Sequence, residues 1–171
     1  MKFGITPTTL EVITEQICVR LVARTGLPRT VLFETLANDR EHLESPPADR
    51  FILIRVDPFS IHDGIAAGAL RESKAIDARI ETALFCRYSD NEFRNAKAMR
   101  DKTRSTLALW RLVFDALHGW EMPLPTDATK SYLREPCRLI GGALEPQRLK
   151  EGPWSKISAT WNTPFLQETP T

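Results

Sequence analysis

The sequence predicts an α+β fold: a mainly antiparallel sheet of about four strands, with an N-terminal helix and one long helix packed on one face. Three observations carry that expectation. The run Arg79–Tyr88 alternates apolar and polar residues and leads straight into Ser89-Asp90-Asn91-Glu92, the start of an amphipathic helix closed by Gly119. An apolar stripe at helical spacing lies near the N-terminus. A second clear alternation, Pro153–Thr163, lies near the C-terminus.

The N-terminal helix spans Thr8–Arg24. Thr8 and Glu11 stand at capping-box spacing, in which each side chain satisfies a free backbone donor of the first turn; Thr6 as cap with Pro7 at the first helical position is the alternative. Leu10, Ile13, Ile17 and Leu21 recur at helical spacing, and Gly26 with Pro28 ends the segment. Arg29–Ala37 reads equally as a short strand or a helical turn. Asn38–Asp49 is polar, contains Pro46-Pro47 and reads as a loop.

Arg50–Asp57 is a strand with a continuous apolar centre, Phe51–Ile54, which implies burial on both faces. Ser60–Ala78 reads as a long exposed connection holding at most one helical turn. In Arg79–Tyr88 one face is mostly core. The other is polar at its ends, through Arg79, Glu81 and Arg87, and apolar in the middle at Ala83 and Phe85.

Ser89 and Glu92 form a second capping box. Phe93, Ala96, Met99, Thr103, Leu107, Trp110, Phe114 and Leu117 then step by threes and fours, one apolar stripe opposite Arg94, Lys97 and Arg104. Ser131–Leu144 reads as an edge strand, either interrupted or bulged around Pro136. Glu145–Gly152 reads as a turn region. Residues 1–163 are expected to form one domain, and residues 164–171 a flexible tail.

A net charge of +1 provides no global field for nucleic acid. The apolar fraction, 42%, suits one core, and no apolar run is long enough to span a bilayer. Cys18, Cys86 and Cys137 are odd in number and widely spaced, which argues against a disulfide framework or a zinc site and for buried free thiols in a reducing cytoplasm. Met1–Gly4 lacks the apolar stretch of a secretory signal. The four tryptophans read as core or interface anchors.

The usual phosphate-loop, dinucleotide, zinc-protease and nucleophile-elbow motifs are absent from the sequence. His62-Asp63 is an acid–base pair by residue type, but neighbouring residues rarely aim at one point, and a loop pair is the ordinary reading. The basic side of the long helix lacks interleaved aromatics and reads as a solvated face or a subunit contact. No catalytic residue, metal or cofactor is assigned, and the chain is not expected to be an enzyme.

The order of elements resembles that of the tail terminator and tail-completion proteins of long-tailed bacteriophages. The resemblance covers Thr8–Thr163 and rests on an opening helix, a strand at Phe51–Val56, a strand ending in Arg87-Tyr88-Ser89-Asp90, a helix over Asn91–His118 and two closing strands. It implies a structural virion protein at the tail–neck junction, assembled in the host cytoplasm. Such a protein forms a homo-hexameric ring that caps the tail tube, stops its polymerisation and docks the head–neck connector. The partners implied are other copies, the tail tube protein and the connector. Neither a membrane nor specific nucleic acid is implied, with DNA only passing through the lumen. Arg79, Glu81, Arg87, Arg94, Lys97, Arg104, His62 and Asp63 are the candidate contact residues. The alternatives are another neck component, such as a head-completion or connector protein, and a small-ligand or enzymatic domain using His62, Asp63 or Cys86.

Overall fold

The computed structural model describes residues 9–35, 44–56, 60–62, 73–87, 106–124, 127–149 and 152–168. Helix α1 (Thr9–Thr25) leads through a 3-10 turn (Arg29–Val31) into β1 (Leu32–Thr35). Strands β2 (Arg50–Val56), β3 (Ser60–His62) and β4 (Ser73–Arg87) follow. Then come helix α2 (Thr106–Leu117), β5 (Arg138–Leu149) and β6 (Gly152–Glu168). The sheet order is β1-β2-β4-β6-β5, with β3 pairing β4 beside that path. Among the described strands only β1–β2 is parallel; every other pair is antiparallel. The fold is α+β, as the sequence predicts, with a mixed sheet.

Alternation along the strands produces two faces. Ile52 and Ile54 of β2, Ile80, Leu84 and Cys86 of β4, and Ile157, Ala159 and Trp161 of β6 share one core with both helices. Ile13, Ile17, Cys18 and Leu21 reach this core from α1, and Leu109, Val113, Ala116 and Leu117 from α2. The other face holds a smaller cluster of Phe51, Leu53, Ala83, Phe85 and Trp154. Phe51 stacks on Phe85 at 4.7 Å, and Trp154 meets Phe51 edge-on at 5.6 Å. The continuous apolar run of β2 thus feeds both clusters, and the apolar middle of β4 lies where its alternation puts it.

The helices are tied to each other by Arg20. Its Nε donates to the Ala116 carbonyl at 3.1 Å and its guanidinium lies 5.1 Å from the Trp120 ring centre. Gly119 ends α2 at φ +78°, a conformation that costs other residues about 1–2 kcal/mol. Its N–H donates to the Cys137 carbonyl, so the same turn anchors the chain entering β5.

Several expectations need correction. The connection Ser60–Ala78 contains β3 and the first residues of β4, because Ser73–Asp77 pairs with β6 and its last three residues, Ala75–Asp77, also pair with β3. The tail expected from residue 164 is strand as far as Glu168: Pro164–Glu168 pairs with that same part of β4, and Phe165 is buried. The turn expected over Glu145–Gly152 is narrower, since β5 continues to Leu149 and β6 starts at Gly152. The region around Pro136 is both interrupted and bulged. Leu133 bridges Phe165 on one side of Pro136, and the β5 register shifts between Leu139 and Gly141 on the other. The ambiguous Arg29–Ala37 holds a 3-10 turn and then β1. The first capping residue, Thr8, the box Ser89/Glu92 and the first half of the long helix lie outside the described residues.

Candidate assembly surface

The polar residues singled out on β4 separate into two places. Arg79 and Glu81 share the sheet face opposite the helices. Arg79 pairs with Asn162 of β6, which pairs onward with Arg138 of β5. One rung along, Arg55, Glu81, Thr160 and Gly141 stand in line across four strands. The Arg55 guanidinium is ion-paired to Glu81. Arg79 and Arg138 are exposed. Arg87 lies at the other end of β4, where its N–H donates to the Asp49 carbonyl and its guanidinium stands 3.5 Å from the Asp49 carboxylate. Arg87 therefore braces the loop before β2 rather than joining Arg79 and Glu81.

Arg94, Lys97, Arg104 and Asp63 lie outside the described residues. His62 closes β3 and is paired in register with Ala75. Arg55 was missed by sequence reasoning. Its cue was available: β2 and β4 are adjacent strands with opposite charges at Arg55 and Glu81, but their register was not.

The buried polar groups are mostly satisfied within the core. Trp161 Nε1 donates to Thr82 Oγ1 at 2.9 Å, the Thr163 hydroxyl donates to the Ala78 carbonyl, and Thr106 is bonded to Ser155. Arg50 Nε and Trp154 Nε1 are buried without a hydrogen-bond partner.

The three cysteines are free and buried. Burial pushes the Cys18 and Cys137 thiols up to about 12. Burial also raises Cys86, against smaller opposing effects of the Thr106 hydroxyl and the Arg50 charge. A thiol held protonated and away from solvent is a poor nucleophile.

Among the described residues one group has metal-ligand composition: Glu15, Cys18 and Glu34, with ligand atoms within 4.8 Å of one another. Arg29 already spans it, 3.3 Å from Glu15 and 2.7 Å from Glu34, and the Cys18 thiol donates to Glu34 Oε1 at 3.6 Å. A metal would have to displace the guanidinium and ionise a thiol that burial keeps protonated. The arrangement is an ion-pair clasp between α1, the 3-10 turn and β1. His118 is likewise engaged: it stacks on Phe114 at 4.7 Å, and its Nδ1 accepts from the Leu139 N–H at 3.3 Å.

The remaining feature of the surface is its edge. Among the described strands β5 is the last of the sheet, and residues 140–145 are all exposed. Ile140 is 52% and Leu144 45% accessible. Gly142 lies hard against β6: a Cβ there would stand 2.5 Å from the Ser158 carbonyl oxygen, whereas one on Gly141 would meet nothing within 4 Å.

No family model matches the chain. No curated protein matches it either. Among solved structures, a chain described as "Virion of native gene transfer agent (GTA) particle" is similar, with TM-score 0.38 and 16% identity. The alignment covers 92% of this chain and 97% of that one.

Proposed function

We propose that this chain is a structural subunit of a phage-type virion, acting at the tail–neck junction as a ring that caps the tail tube and receives the head–neck connector. The observation that carries the reading is the order of its elements. An opening helix, a doubly buried strand, a long central strand, a second helix and a closing hairpin fold into one sheet with both helices on one side. This is the arrangement the tail-terminator resemblance calls for.

Two further features support it. The sheet face opposite the helices is charged around Arg55, Glu81, Arg79 and Arg138 and ends in an open strand, a surface suited to protein contact. The thiols and the carboxylate cluster are engaged in packing and ion pairing, so they support the fold rather than a reaction. Ring closure would use a head-to-tail contact, with different patches on the two sides of each subunit.

The test is assembly. Purified chain mixed with the tail tube protein of its own particle should bind tube ends as a ring, seen by negative-stain microscopy, and should halt tube elongation. Tubes that keep growing with bare ends in the presence of excess chain would sink the proposal.

A further inference from the structure

The exposed edge of β5 is blunted at two points and open between them. At its start, the register with β6 shifts between Leu139 and Gly141, leaving Ile140 as the extra residue of a bulge. Further along stands Pro146, which has no N–H to offer a new strand. Proline is tolerated in a strand where its nitrogen faces away from the neighbour. Pro146 therefore marks the even-numbered residues, Gly142 and Leu144 among them, as those whose backbone groups point outward. Ala143 lies between them, in register with Ser158 of β6, and by the same alternation its backbone groups face that strand.

The exposed stretch between them is thus residues 141–145, Gly-Gly-Ala-Leu-Glu, with Ala143 at its centre. From this we infer that β5 pairs antiparallel with β5 of a second copy of this chain, about a two-fold axis at Ala143. An antiparallel partner that uses the whole stretch and runs into neither the bulge nor the proline must be centred there. The same five residues fit that role. Leu144 falls opposite Gly142 of the second copy, and Glu145 opposite Gly141, so each large side chain meets a residue with none. Gly142 and Leu144 exchange backbone hydrogen bonds with their counterparts, and the two Ala143 residues face each other as a non-hydrogen-bonded pair. Leu144 lies on the helix side of the sheet, in register with the core residue Ile157, so pairing covers an apolar side chain that is now open to water.

At the other side of the sheet, among the described residues, β1 is four residues long and β3 three, and neither gives a comparable template. The two-fold contact is independent of head-to-tail ring closure and goes beyond it: copies are joined in pairs, with their sheets continuous and their helices on the same side.

The experiment is site-directed crosslinking of the full chain. Ala143→Cys places two thiols across the axis in the close pair, where Cβ separations of about 4.5–5.5 Å allow a disulfide with slight adjustment. The native cysteines are buried, so the new thiol is the one that reacts under mild oxidation. Ala143→Cys should give a covalent dimer. Glu145→Cys should not, because in this register its two copies stand about 14 Å apart along the strand. Adding Leu144→Arg to Ala143→Cys should lower the dimer yield about tenfold by placing a charge on the paired edge. Near-UV circular dichroism checks that each variant is folded. No dimer from folded Ala143→Cys overturns the inference, as do equal yields from both cysteine variants or a yield indifferent to Leu144→Arg. Larger oligomers of folded Ala143→Cys that carry no crosslink at that position after oxidation would overturn it and leave the ring untouched.

Discussion

Cys18 and Cys137 sit where water does not reach, and their protons are correspondingly hard to remove. In an unfolded chain such thiols ionise near their ordinary value of 9.0, and in the folded protein only near about 12. Between those values the unfolded state binds fewer protons, so stability is complete below the lower value and declines as pH rises through the window. Each thiol should contribute a slope of about 1.4 kcal/mol per pH unit. Urea unfolding at a series of alkaline pH values should show this decline, and Cys137→Ala should make it shallower. An unchanged pH dependence in that variant would mean that the Cys137 thiol ionises as readily folded as unfolded. The same reasoning explains the Glu15–Arg29–Glu34 clasp: a permanent cation satisfies both carboxylates beside a thiol that remains neutral.

At the scale of elements, legibility followed local pattern. Helix α1, the centre of β4, β2 and the first part of β6 each carry enough period within themselves to be read, because side-chain direction alone decides burial there. The stretches that were missed are Ser73–Asp77, Glu145–Leu149 and Pro164–Glu168. Each is strand because of what lies beside it, and each carries residues that argue the other way, notably Pro146 and Pro164. Register was the other hidden quantity. It aligns Arg79 with Asn162 and Arg138, sends Arg87 to Asp49 and brings Arg55 to Glu81, and no single segment states it. The glycines of β5 allow a direct check. Gly142→Ala should cost about 1–3 kcal/mol through overpacking against the Ser158 carbonyl. Gly141→Ala, with open space around it, should change stability far less. Thermal melts of the two variants compare them, and equal effects would contradict the close approach at Gly142.

At the scale of the whole molecule, the middle of the sheet is the pairing of β4 with β6, which runs along the full length of β4. Its partners are remote in sequence: the Thr82–Trp161 bond joins positions 79 apart, and the Thr163–Ala78 bond positions 85 apart. Neither the first core cluster nor the second can close without β6, which supplies Trp161 and Phe165 to one and Trp154 to the other. A chain ending at Leu149 should therefore lack a cooperative urea transition. A cooperative transition in that fragment would show that the helices and β2–β4 stand alone.

This dependence also bears on how the protein is made. Pairings between distant segments are slow, because loop closure must come before any contact rewards it. On a ribosome β6 emerges only after every other described element of the sheet. Until then β4 offers one uncovered edge along most of its length, and the apolar residues of β2 and β4 await their third neighbour. The newborn chain is thus an unfinished sheet until β6 has emerged. It becomes competent to meet other subunits only after β6 has arrived, so folding is timed to precede assembly.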